Sequence, residues 1–184
     1  MVEVVVMMMI IMVISGMVLV SFTGLHEGAA LNRGARELAL AIRRVQNTSL
    51  AVTQVDTRAG PKTPPAVGIR LAQGASIYIL FADLTRDNEY DPMVLSDDPD
   101  VKVGDDQIFE GGVKIKSLIY LDALGSPQAV EVANIIFAAP EATVFIGDQD
   151  GVTLGDTLKI ELAAASGRLT KTVTVRTSGQ VSIK

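Results

Sequence analysis

Hydrophobic and polar positions fall into three regimes along the chain. Within residues 4–20 only Ser15 and Gly16 interrupt a run of aliphatic and methionine residues, so a helix here is apolar on every side. Farther on, Leu38, Ala41, Ile42, Val45 and Ser49 recur at helical spacing while Arg36, Glu37, Arg43, Arg44 and Gln46 fall largely elsewhere. That pattern predicts an amphipathic helix that packs one face on a domain. Gly60-Pro61 and Pro64-Pro65 make residues 56–65 a loop, because proline cannot continue a helix and biases its predecessor toward extended backbone. Beyond it the period drops to two. Val67, Ile69 and Leu71 alternate, Gln73-Gly74 turns the chain, and Ile77, Ile79 and Phe81 alternate again, which predicts a hairpin. Further strands are expected at 113–121, 130–137, 143–146, 158–162, 172–176 and 181–183, the last after a Thr177-Ser178-Gly179-Gln180 turn.

The expected fold class is α+β. A long N-terminal helix, apolar stalk followed by amphipathic half, packs its Leu38 to Val45 stripe on the apolar face of an antiparallel sheet. Three segments follow: a hydrophobic transmembrane or polymerisation helix at 1–24, its amphipathic continuation at 25–55, and a β-rich head at 56–184. As a helix, residues 4–20 cover ~25 Å, close to the ~30 Å hydrocarbon core of a bilayer, so the segment is long enough to sit in a membrane. Gly28 and Gly34 each weaken the helix by roughly 1 kcal/mol relative to Ala and mark places where it could bend. With 184 residues and 48% hydrophobic content the chain supports one modest core behind the stalk.

Glu3 stands against this apolar background. A carboxylate inside such a run is costly unless something pairs with it. A secretory signal wants a basic n-region, yet no Lys or Arg precedes Arg33. An ordinary membrane anchor orients itself by basic flanks and gains nothing from an acid at its edge.

Met1-Val2-Glu3 followed directly by the apolar run resembles the mature amino terminus of type IV pilins and type II secretion pseudopilins, Phe-Thr-Leu-x-Glu and then a hydrophobic helix. On that resemblance Met1-Val2-Glu3 fill the third to fifth places, and a leading Phe-Thr and a basic leader peptide would precede Met1. The family implies that Glu3 neutralises the amino terminus of a neighbouring subunit. It also implies that Val4, Val5, Val6, Ile10, Ile11, Val13, Ile14, Val18 and Leu19 form the polymerisation helix. Val20 stands where many members carry a helix-disturbing proline, so local melting would depend on Ser15, Gly16 or Gly24. The methionines Met7, Met8, Met9, Met12 and Met17 read as adaptable packing.

Ala35-Arg36-Glu37-Leu38-Ala39 through Arg43-Arg44-Val45-Gln46, together with the closing hairpin at 173–183, is also similar to minor pseudopilins of the H type. The resemblance therefore implies a structural subunit of a pilus-like extracellular filament, a homo-polymer, or alternatively a minor pseudopilin of a secretion or pilus machine. It further implies a prepilin peptidase and assembly machinery as partners, residence in the cytoplasmic membrane before assembly, and a place in a filament at the cell surface afterwards.

Composition narrows the remaining classes. A net charge of −5 and a pI near 4.9 argue against a nucleic-acid surface, although Arg33, Arg36, Arg43 and Arg44 gather in one segment. The absence of cysteine removes disulfides, thiol catalysis and zinc-thiolate sites. His26 is the single histidine, which removes a multi-histidine metal site, and it lies beside the membrane-proximal end of the expected stalk, away from any cleft for a Ser-His-Asp triad, so no enzymatic activity is expected.

No cofactor is required by this reading, but one segment invites calcium. Asp83, Thr85, Asp87, Asn88 and Asp91 place hard oxygen ligands near alternate positions directly after a strand, as calcium loops do. It is not an EF-hand, since the sixth and twelfth places hold Asn88 and Val94. The other reading is a solvated acidic turn capping a hairpin. Asp97-Asp98-Pro99-Asp100 and Asp105-Asp106 extend the acidity, and Asp148, Asp150 and Asp156 make a second acidic loop. From a different class, the chain could be a membrane-anchored module binding calcium or a partner protein through these loops.

Overall fold

The computed structural model describes residues 2–51, 53–57, 60–91, 99–122 and 124–184, with side chains described throughout these except at 18–25. The apolar run and the amphipathic stripe join in one helix, α1 (Val2–Leu50), which continues unbroken through Ser15 and Gly16. Glu3 lies in its first turn, where the helix dipole favours a negative charge. From Leu31 onward the helix enters the core: Leu31, Ala35, Leu38, Ile42 and Val45 are all buried. Their three- and four-residue spacing puts them on one side of the helix. Gly34 on the same stretch leaves room for the Phe109 and Val113 side chains, each of which would lie 3.4 Å from an added Cβ.

The strands run β1 (Val55–Thr57), β2 (Gly60–Lys62), β3 (Ala66–Ala72), β4 (Ile77–Asp83), β5 (Val101–Lys102) and β6 (Gln107–Ile108). After a short 3-10 turn at Glu110–Gly112 come β7 (Lys114–Leu121), β8 (Pro127–Val130), β9 (Val132–Ala138), β10 (Thr143–Gly147), β11 (Thr157–Ala163), β12 (Thr170–Arg176) and β13 (Val181–Ile183). One sheet has the order β10-β9-β3-β4-β5, with β6 also pairing β4; a second has the order β13-β12-β11-β7-β8; β1 and β2 make a separate ribbon. All the pairings are antiparallel.

Period-two alternation decides which side each strand buries. In the first sheet Val67, Ile69 and Leu71 of β3 and Ala133, Ile135 and Phe137 of β9 face α1 and join the main core. Ile115 and Leu118 of β7, Leu158, Ile160 and Leu162 of β11, and Val173 and Val175 of β12 close the same core from the second sheet. The opposite face of the first sheet carries its own small core of Ala66, Phe81 and Ile136, with Tyr90, Ala138 and Phe145 packed against it. At the end of α1 the buried Ser49 hydroxyl donates to the carbonyl of Phe137 at 2.9 Å and ties the helix to β9.

The expected α+β fold, an apolar-stalked helix laid on one antiparallel sheet, needs correction. The strands form three antiparallel sheets, and α1 is a core element held against both larger ones. The helix is not a long apolar stalk either, since most of α1 from Leu31 onward is built into the core of the β-rich part. Beyond the undescribed side chains α1 turns polar, with His26, Asn32, Arg33 and Arg36 exposed. Among the described residues no helix is long and apolar enough to cross a membrane. The proline-rich segment expected to be a loop holds the β1-β2 ribbon, and β5 and β6 lie in the acidic region where no strand was expected. These strands are two or three residues long, too short for a period to register.

Candidate functional site

Two surfaces carry chemistry. The first is acidic and sits on the outer face of the first sheet, where the chain leaving β4 folds back over Phe81 and Ile136. Tyr90 anchors it: its ring lies 5.2 Å from that of Phe81 and 6.0 Å from the Arg70 guanidinium. Inside the loop, Asp83 is fully buried and acts as a staple. Its Oδ1 accepts the Arg86 N–H at 2.6 Å and the Thr85 hydroxyl at 3.3 Å, and its Oδ2 accepts the Asn88 N–H at 3.2 Å. Arg86 and Asn88 pass through left-handed backbone, φ 68° and 66°, to present those amides. Asp100, carried in just before β5, does the same from the other side by accepting the Leu84 N–H at 2.9 Å and the Asp91 N–H at 3.0 Å.

One carboxylate oxygen from each of Asp83, Asp87 and Asp100 falls within 4.8 Å of the others, and the same holds for Asp87, Glu89 and Asp91. Asp83, Asp87 and Asp100 offer the hard oxygen donors that suit a divalent cation, and they are the residues that could hold one.

The second acidic loop, expected as a separate feature, is brought against the first. Asp148 Oδ1 accepts the Asp150 and Val152 N–H groups at 3.0 and 2.9 Å, which turns the chain so that Gly151, at φ 71°, passes directly under the carbonyl of Asp87. A Cβ there would collide with that carbonyl, so only glycine permits the approach. Asn134, fully buried, donates from Nδ2 to the Asp148 carbonyl at 2.8 Å.

Of the five predicted calcium ligands, Asp83 and Asp87 meet each other, Thr85 supports Asp83, Asn88 contributes its backbone amide, and Asp91 groups with Asp87 and Glu89 instead. Asp100, Glu89 and Asp150 complete the acidic surface. Alternation within the loop could have suggested Glu89, whereas Asp100 stood out in the sequence only as part of the surrounding acidity, and it reaches Leu84 because β5 pairs with β4. The neighbouring candidates at 92–98, which include Asp97 and Asp98, lie outside the described residues.

Burial and crowding make three of these acids bind protons more tightly than free carboxylates do. Burial, followed by the hydrogen bond and charge of Asp91 and the charges of Asp87 and Asp150, pushes Glu89 up to about 7. Burial outweighs two amide donors and pushes Asp100 up to about 6, and it raises Asp83 in the same direction. Groups whose folded pKa is raised bind more protons folded than unfolded, so they favour the folded state at low pH and lose that contribution as pH climbs through the folded values. Stability is therefore expected to fall between pH 5 and 8 by on the order of 1 kcal/mol, once solvent screening is allowed for. Urea midpoints at the two pH values measure this, and a midpoint that rises with pH would contradict it.

The second surface is the start of α1. Val2, Val4 to Val6, Met7 to Met9, Ile10, Ile11, Met12, Val13, Ile14 and Met17 are all exposed, from 50% for Val6 to 79% for Met12. Consecutive exposed positions mean that the apolar surface surrounds the helix rather than forming a stripe. Glu3 is exposed among them. The side chains of Val18 and Leu19, assigned to the same segment, lie outside the described ones, and the helix expected to melt at Gly24 continues through it. Comparison with known proteins returns no match for this chain, whether against family models, curated proteins or solved structures.

Proposed function

We propose that this chain is the structural subunit of a pilus-like extracellular filament, polymerised through the start of α1, with Glu3 pairing the amino terminus of a neighbouring subunit. The observation that carries this reading is the all-round exposure of the apolar residues at 2–17. Each such side chain gains roughly 1.5–3 kcal/mol when fully buried, so a segment apolar on every side is driven to be surrounded. Copies of the same helix offer that surrounding, and a dry bundle gives the lone carboxylate a use, because a charge-assisted pair is worth more there than in water. The amino-terminal resemblance to type IV pilins and pseudopilins supports the same reading. The assembled subunit then lies at the cell surface, with its β-rich part on the outside of the polymer.

Replacing Glu3 with Val tests it. Native cells carrying Glu3→Val should accumulate the chain yet yield no sheared filaments containing it, as seen by electron microscopy with mass spectrometry of the subunit. Filaments of normal abundance in the variant would overturn the proposal.

A further inference from the structure

Resting on the filament reading, a second contact between copies follows from the side of α1 that faces away from its own core. Arg33, Arg36, Leu40, Arg43 and Asn47 repeat three or four residues apart on that side, with Arg44 next to Arg43 and four residues after Leu40, and all six are exposed. Leu40 is exposed by 66%, an apolar residue set among cations. Arg33 is paired with Glu110 at 2.6 Å. Among the described residues no carboxylate lies within ion-pair distance of Arg36, Arg43 or Arg44.

The complementary charge is present in the same molecule but out of reach. Asp87, Glu89, Asp91 and Asp150 crowd together on the outer face of the first sheet, and that sheet separates them from α1. We propose that the Arg36, Leu40, Arg43 and Arg44 face of α1 in one copy docks on the Asp87, Glu89 and Asp150 surface of the next copy. Arginine suits this role, since its planar guanidinium bonds carboxylates in pairs and sheds water more readily than an ammonium.

The placement also sets the kind of assembly. Two patches on one face could satisfy each other reciprocally in a closed dimer, whereas patches on different faces leave one of each free after every contact. Such a head-to-tail contact propagates into an open polymer unless its rotation happens to close a ring. It also runs alongside the apolar contact, because both use α1.

Charge reversal in two chains decides the matter. Full-length Arg43→Glu/Arg44→Glu and full-length Glu89→Lys/Asp150→Lys should each assemble about tenfold less than the native chain, because like charges then face each other across the contact. Mixed in equal amounts they should co-assemble, since each reversed face meets a reversed partner. Sedimentation and electron microscopy read assembly, and circular dichroism checks the fold.

Normal assembly of Arg43→Glu/Arg44→Glu, or failure of the mixture to associate, would overturn the docking while leaving filaments of the native chain as support for the filament itself. If the native chain makes no filament, the filament reading falls, and association of the two variants with each other but not with themselves still reports on the docking. Loss of binding to phosphatidylglycerol vesicles by Arg43→Glu/Arg44→Glu, with assembly intact, would instead assign the basic face to a membrane surface.

Discussion

Leu38→Ala is expected to lower the free energy of unfolding by about 3 kcal/mol, the middle of the range for removing a buried leucine from a core that relaxes only partly. Leu38 is fully buried at the centre of the α1 stripe, in the cluster that receives side chains from both larger sheets. A void there has no single neighbour able to close it, because β3 and β9 approach from one side and β11 and β12 from the other. Chemical denaturation should show the loss as a lower midpoint with little change in slope. A change below about 1 kcal/mol would mean that the helix is not the element joining the sheets, since exposed positions give effects of that size.

The same helix should answer in the opposite way nearer its start. Ile10→Asp combined with Ile14→Asp is expected to leave the unfolding midpoint unchanged, since both side chains are more than half exposed, at 53% and 56%. Filament yield, in contrast, should drop by about a hundredfold, because two carboxylates would have to leave water without a partner, each at a cost of several kcal/mol. The two positions lie on one side of the helix, so any bundle that surrounds it must bury at least part of the pair. Sedimentation of the assembled fraction, set beside a denaturation curve of the same preparation, separates the outcomes. Unchanged assembly would remove the apolar segment from the polymer contact, and a collapsed midpoint would place it in the fold instead.

These two results divide α1 by what its residues touch, and that division was only partly legible beforehand. The helical spacing of Leu38, Ala41, Ile42 and Val45 was plain, because a packed helix must repeat its apolar residues to match its turn. The hairpin of β3 and β4 was equally plain, since alternation over seven residues and a Gln73-Gly74 turn leave little else to pair. The ribbon of β1 and β2 was hidden by its prolines and its length. Partition into separate sheets was hidden for another reason: each strand records which of its own residues are apolar, but not which other strand lies beside it.

The acidic surface divides along the same line. Asp83, Asp87, Glu89 and Asp91 are close in sequence, so their concentration of charge was visible at once. Asp100 and Asp150 join them only through strand pairing and the turn at Gly151, and their charge adds to a site whose electrostatics no local reading could anticipate. By itself the sequence determined the apolar character of residues 4–20, the amphipathic stripe that follows, the alternation of the longer strands and the surplus of acid, all consequences of side-chain type at fixed backbone periods. Tertiary structure alone decided that α1 is wedged against two sheets, that its basic face and the acidic surface look out from different sides, and that Asp100 staples a loop sixteen residues upstream. Those outcomes depend on long-range pairing, where the free energy of burying a shared core outweighs local preference.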